Sequence, residues 1–441
     1  MKRGTGGNRK LNIRKKTKAY SGKFRDESNF LKPLKVFGIT LFSVLLVGMV
    51  LICVMVFLKN QELTSDSGTE SAQYTKANPP GEMVEVPIAG TKETIAVETE
   101  EVQVEEIEVD EYTHLINSST EDSVTIGFAG DILFDPNYAI MNTIKNSGGI
   151  AGVIDSALIA EMQAVDIMML NNEFPYSNRG TALEGKTYTF RADPSSASML
   201  NDIGVDIVSL ANNHAYDYGE AAFLDSMTTL DEYGIVYSGA GNNIEEASHP
   251  IYYIADNGIK IAIISATQIE RLENPDTKGA TESSAGVFRS LDDTLLLQRI
   301  QEAKEQNAFV IVFIHWGTES QTEIDWWQEK QANEITLAGA DLIIGCHPHI
   351  LQEVGYVNDV PVVYSLGNYL FNSKTLDTCM VEATIHTDGT LNLQFIPAIQ
   401  SGCHLTMATG ADYLRILNYM TELSSTASFD SNGYISKKWI Y

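Results

Sequence analysis

Five short apolar runs, at residues 124–129, 166–170, 205–210, 309–314 and 341–344, each give way to residues able to bind a cation: Asp131, Glu173, Asn213 with His214, His315, and His347 with His349. The runs are rich in Val, Ile, Leu and Met and lack clear alternation, so they read as strands covered on both faces, as in parallel sheets. In open α/β sheets, ligands bind beyond the carboxyl ends of the strands. The pattern therefore predicts that polar groups from more than 200 residues of sequence meet in one crevice.

Helix-like stretches at 194–203, 219–233, 291–307 and 324–337 are interleaved with these runs. Further strand-like pieces at 259–265, 361–365, 379–386 and 391–396 imply more than one sheet, and residues 411–424 read as a helix. Alternation of this kind predicts an α/β fold with helices packed on sheets.

Ahead of these elements the pattern changes. Residues 36–58 are 23 mostly apolar residues with no charge, enough to cross a bilayer whose core needs about 20 as a helix. The first 35 residues hold twelve Lys or Arg against Asp26 and Glu27, a net of +10, so the remainder carries −38 of a chain whose total is −28. Basic residues on the N-terminal flank predict a cytoplasmic N-terminus, one transmembrane helix and an extracellular remainder. The apolar run exceeds a signal peptide's usual core, and the residues after it, Lys59-Asn60-Gln61-Glu62, offer no small-residue cleavage site. Residues 59–123 are acidic and poor in aromatics, and predict an extended, disordered stalk. A folded domain at 124–400 and a C-terminal helical extension at 401–441 complete the expected organisation.

The ligand inventory narrows the chemistry. Mixed carboxylate, amide and imidazole donors suit Mn²⁺, Fe²⁺ or Zn²⁺ better than Ca²⁺ or a thiolate-bound structural zinc. Glu173 is the natural bridge between two ions. Of the cysteines, Cys53 falls in the apolar segment and Cys346 between candidate ligands, so only Cys379 and Cys403 could pair in an oxidising exterior, and the sequence leaves open whether they do. No phosphate-binding Gly-x-x-x-x-Gly-Lys-Ser/Thr loop occurs, so ATP-driven ligation must come from another protein. The basic arm is explained by topology, without nucleic acid.

Together, Gly-Asp at 130–131, Asn-Glu at 172–173, Ala-Asn-Asn-His-Ala-Tyr-Asp at 211–217, His-Trp-Gly-Thr-Glu at 315–319, Gly-Cys-His-Pro-His-Ile-Leu-Gln at 345–352 and Ser-Leu-Gly-Asn-Tyr-Leu-Phe at 365–371 resemble the capsule-synthesis protein CapA family. That family lies within the calcineurin-like metallophosphoesterases. The resemblance implies a sandwich of two mixed β-sheets flanked by helices, and a role in poly-γ-glutamate capsule synthesis beside a membrane polyglutamate ligase. It also implies that Asp131, Glu173 and His349 hold one ion, and that Glu173, Asn213, His315 and His347 hold the other. His214 would protonate the leaving group with Asp217 orienting it. The superfamily usually opens with Asp-x-His, whereas Leu133 stands here in the His position, so the first ion is expected to be held less firmly.

Outside the ligands, Arg179, Lys186 and Arg191 are a positive trio in an acidic domain and are expected to clamp an anionic polymer or phosphoester. Glu319 and Gln352 follow ligand motifs closely and are expected to orient imidazoles. Ser365-Leu366-Gly367-Asn368 reads as a packed strand-to-turn junction. Two readings compete with the capsule role: a free-standing envelope phosphoesterase or amide hydrolase, and a non-catalytic module that binds polymer.

Overall fold

The computed structural model describes residues 110–269 and 277–438. The basic arm, the apolar segment 36–58 and residues 59–109 of the acidic segment lie outside these. Among the described residues no helix is long and apolar enough to cross a membrane.

Two sheets form the frame. One has seven strands in the order Thr113–Ile116, Ile251–Ala255, Lys260–Thr267, Phe309–His315, Leu342–Cys346, Val360–Val363 and Val354–Val357. The other has ten, whose main path runs Ala427–Phe429, Tyr434–Lys437, Leu391–Ser401, Leu376–His386, Ser123–Ile132, Ile167–Asn172, Ile207–Ser209 and Val236–Ser238. The ligand-bearing strands are parallel to their ligand-bearing neighbours in both sheets. Antiparallel pairs occur in each sheet as well, so both sheets are mixed.

The uninterrupted apolar runs follow from burial on both faces. Ile126 and Phe128 of one sheet meet Ile311, Phe313 and Ile344 of the other in a single cluster, with the Phe128 and Phe313 rings 6.5 Å apart. Alternate residues turn outward beneath helices. Met168 and Leu170 pack with Met162 of helix Ser156–Ala164 and Phe223 of helix Glu220–Tyr233. Val310 and Val312 pack with Ile300 of helix Thr294–Glu305 and Ile335 of helix Trp326–Ala338. Since neighbouring side chains on a strand point to opposite faces, a strand between two apolar layers needs apolar residues at every position. The architecture is thus a sandwich of two mixed sheets with helices outside.

Some boundaries differ from expectation. The acidic segment was expected to stay unstructured to residue 123, yet Thr113–Ile116 forms an edge strand parallel to Ile251–Ala255. Tyr112 and Ile116 supply the reason: both pack against the core between the sheets. The tail is more than a helical extension. Helix Gly410–Leu423 is present, but His404–Met407, Ala427–Phe429 and Tyr434–Lys437 add strands to the larger sheet. Cys379 and Cys403 are free and buried, as is Cys346, so no disulfide joins them.

Candidate metal centre

Each strand end delivers its polar residue as the chain leaves the sheet. Asp131 is near the end of Ser123–Ile132, and Glu173 directly follows Ile167–Asn172. His315 ends Phe309–His315, and His347 and His349 follow Leu342–Cys346. Glycines permit the tight passages. A Cβ on Gly130 would sit 1.8 Å from the Gly367 carbonyl oxygen, and one on Gly345 would sit 2.1 Å from that of Tyr364. The His347-Pro348-His349 turn is not extended: His347 has φ 98° and His349 φ 60°. Such conformations are uncommon outside glycine and persist where the surroundings hold them.

The side chains converge on Glu173. Its Oε1 atom lies 3.6 Å from His315 Nε2, 3.9 Å from His349 Nε2 and 4.0 Å from His214 Nε2. His315 Nε2 is also 2.8 Å from Asn213 Oδ1 and 3.0 Å from His347 Nδ1, while His349 Nδ1 is 3.1 Å from Asp131 Oδ2. Asp131, Glu173 and His349 thus form one group whose donor atoms lie within 4.8 Å of one another, and Glu173, His315 and His347 form a second. A third group adds Cys346 to Asp131 and His315. All six predicted ligands are brought together, and Glu173 belongs to both predicted sets.

The electrostatics suit a cation. Burial, then the nearby Asp131 carboxylate, raises the Glu173 pKa well above the usual carboxylate range. Burial, then the neighbouring imidazoles, pushes His315 and His347 well below the usual imidazole value, leaving them neutral donors. Burial opposes charge on His349 too, but Glu173 and Asp131 outweigh it and lift that ring to about 9. Among the described residues, Glu173 Oε1 is buried with no hydrogen-bond partner. Buried polar atoms are rarely left so, and a carboxylate oxygen ringed by imidazole nitrogens fits a divalent transition cation.

Behind the ligands stands Asn171, a residue that sequence reasoning did not single out. Asn171 Nδ2 donates to Asp131 Oδ1 at 2.7 Å, whereas Asn172 Nδ2 turns away to the Phe174 carbonyl at 2.6 Å. Strand alternation was the available signal, because Asn171 and Glu173 are two residues apart and share a face. Cys346 Sγ lies 3.2 Å from His315 Nδ1, and Asn368 Oδ1 lies 2.9 Å from His349 Nδ1, so the Ser365-to-Asn368 junction reaches the chemistry after all.

His214 and Asp217 are paired as predicted, with Nδ1 to Oδ2 at 2.6 Å. Burial lowers the His214 pKa, against the pull of Asp217. The resting ring is therefore neutral, its Nδ1–H donating to Asp217 and its Nε2 facing Glu173. It must gain a proton before it can give one.

The expected substrate clamp is not assembled. Lys186, its side chain 3% exposed, places Nζ 2.6 Å from Asp217 Oδ1 and also donates to the Asn213 carbonyl, so it supports the His214–Asp217 pair from behind. Arg179 is held by Asp225, with Nε to Oδ2 at 2.9 Å, and Arg191 lies over the Tyr218 ring at 4.1 Å. Glu319 is exposed and hydrogen-bonds no imidazole among the described residues; its charge adds to the field that raises both His349 and Glu173. Gln352 instead pairs with Gln328 at 2.7 Å and donates to the Gln321 carbonyl at 3.0 Å, bracing the loop before helix Trp326–Ala338. Lys186, Arg179, Arg191 and Gln352 are each taken up by a nearer partner.

Comparison with known proteins gives a consistent picture. The family described as bacterial capsule synthesis protein PGA_cap matches residues 125–373. The chain is 27% identical over 291 residues to the PGA biosynthesis protein CapA of Bacillus subtilis, covering 65% of this chain and 74% of that one. It is 28% identical over 292 residues to the capsule biosynthesis protein CapA of Bacillus anthracis, covering 64% and 66%. A probable polyglutamine synthesis accessory protein of Mycobacterium tuberculosis is 22% identical over 289 residues, covering 61% and 75%.

Proposed function

Because the chain belongs to the bacterial capsule synthesis protein family, we propose that it is a membrane-anchored, extracellular component of poly-γ-glutamate capsule synthesis or export, carrying a two-cation, metallophosphoesterase-like hydrolytic site. The observation that carries the hydrolytic part is the Glu173 carboxylate, shared by two donor groups and left with a buried, unpartnered oxygen between them. Support for the polymer comes from the relatives named for PGA, capsule and polyglutamine synthesis. Support for the anchor comes from the apolar segment 36–58 and the basic flank before it.

Asp131, Glu173 and His349 would hold one cation and Glu173, Asn213, His315 and His347 the other. When bound, such cations act as Lewis acids toward a phosphoryl or carbonyl oxygen and make water nucleophilic near neutral pH. The chain's own groups then manage the proton. His214 receives it at Nε2 and returns it to the leaving group, while Asp217 holds Nδ1–H and stabilises the charged ring. Phe190 helps keep water from this exchange, its ring 4.3 Å from that of His214 and its N–H donating to Asp217 Oδ2 at 2.7 Å. The partners of the reading are an anionic polymer and a membrane polyglutamate ligase that supplies the ATP-driven step.

The test is metal analysis of the purified chain, followed by incubation of the Mn²⁺-loaded protein with poly-γ-glutamate and with a chromogenic phosphodiester, beside H214A. Two bound cations and His214-dependent cleavage of either substrate are expected, and the cleaved substrate identifies the bond. Two cations with cleavage of neither would leave only the reading as a binding module, and no stoichiometric cation would end the hydrolase reading.

A further inference from the structure

We infer that Asn368 supplies, through its side-chain oxygen, the ligand that the first cation site lacks where Leu133 replaces the superfamily's imidazole. The inference rests on the two-cation reading and deepens it. Asn368 and Asp131 are paired residues on adjacent parallel strands, so the register itself sets the two side chains at one level. The close passage of Gly130 against Gly367 fixes that register, with the Asp131 N–H donating to the Gly367 carbonyl at 3.1 Å.

The donor spacing matches shared coordination. Asn368 Oδ1 is 2.9 Å and Asp131 Oδ2 is 3.1 Å from the same atom, His349 Nδ1. Ligands at right angles on a six-coordinate ion with bonds of about 2.1 Å stand about 3.0 Å apart. At the second site the corresponding separations are 2.8 Å from Asn213 Oδ1 to His315 Nε2 and 3.0 Å from His347 Nδ1 to His315 Nε2. Each site would thus hold one carboxamide oxygen beside an imidazole nitrogen, Asn213 in one and Asn368 in the other.

Burial adds an independent argument. Asn368 is 1% exposed, and its Nδ2 has no hydrogen-bond partner among the described residues. A buried amide with one end unsatisfied is costly in a site that only fills space. A neutral oxygen in place of an imidazole also makes this site harder than its usual form, and so better matched to Mn²⁺ than to Zn²⁺.

The test is titration of the metal-free, full-length chain with Mn²⁺ by calorimetry, for the wild type, N368A, N368D and N368H, with folding checked by circular dichroism in EDTA. Two sites are expected in the wild type. N368A should weaken one of them by at least about tenfold and leave the other unchanged, N368D should retain both, and N368H should move the preference of the affected site from Mn²⁺ toward Zn²⁺. Two Mn²⁺ bound by N368A with wild-type affinity would overturn the role of Asn368 while leaving the two-cation reading intact. A wild type that binds fewer than two cations would instead overturn that underlying reading.

Discussion

His315 Nε2 and His347 Nδ1 face each other across 3.0 Å, in a place where burial keeps both rings uncharged. Two neutral imidazoles in such proximity gain little from one another unless one donates a proton or both share a cation. The neighbouring Asn213 oxygen, 2.8 Å from His315, and the unpartnered Glu173 oxygen favour the shared cation.

Replacing either imidazole should therefore remove a cation rather than unfold the protein. H347A is expected to weaken Mn²⁺ binding at one site by about 10- to 100-fold or more. In the wild type, a saturating cation at about 100 times its dissociation constant should add about 2.7 kcal/mol to stability, a gain largely lost in H347A. Thermal melts with and without Mn²⁺ measure this, and equal shifts in both proteins would place His347 outside the coordination sphere.

Affinity should also depend on pH. In the cation-free protein His349 carries its proton below about 9, and that proton competes with the cation for the ring. Binding should strengthen as pH rises toward about 9 and weaken as it falls, by about tenfold per unit for one displaced proton. Calorimetry between about pH 6.5 and 8.5 in buffers of different ionisation enthalpy would report the proton released, and a flat profile would exclude His349 as a ligand.

Asp217 should matter to turnover and not to metal content. D217N leaves a side chain of the same shape but can no longer stabilise a charged His214 ring, and is expected to lower hydrolysis by about 10²- to 10⁴-fold. Metal analysis and steady-state rates on the same preparation separate these effects. Loss of the cations in D217N would recast the residue as a structural support for the site.

Gly130 has no room for a methyl group. With a Cβ only 1.8 Å from the Gly367 carbonyl oxygen, a backbone atom that cannot swing aside, G130A must push two strands apart. A loss of roughly 2–5 kcal/mol is expected from strain of this kind. Urea unfolding of wild type and G130A measures it; a difference under about 0.5 kcal/mol, the range of ordinary surface changes, would show that the passage yields freely.

The ligands were legible because strand ends are legible. An apolar run ending in Asp, Glu or His fixes both where the chain leaves the sheet and which end faces the crevice, and Glu173, His315 and His347 needed no more than that. The strand Thr113–Ile116, Thr-His-Leu-Ile in an otherwise acidic segment, was hidden because four residues carry too few apolar positions to stand out. The supporting residues were illegible for another reason. Lys186 reads as a free cation until Asp217, 31 residues away, is found 2.6 Å from it, and Arg179 does so until Asp225, 46 residues away, is seen to hold it. Charge says what a side chain can bind, and only the folded neighbourhood says what it has already bound. Asn368 shows the converse, since its amide gains meaning only beside His349.

The edge strand Thr113–Ile116 bears on how the domain would withstand tension. If the chain is tethered through its N-terminal part, a pull on it reaches the fold first at the margin of the seven-stranded sheet, where four residues pair in parallel with Ile251–Ala255. The strand that ends in His315 lies three places further in. Mechanical load would peel the selvage while the crevice around Glu173 and His315 keeps its shape, so the site would stay whole on a taut leash.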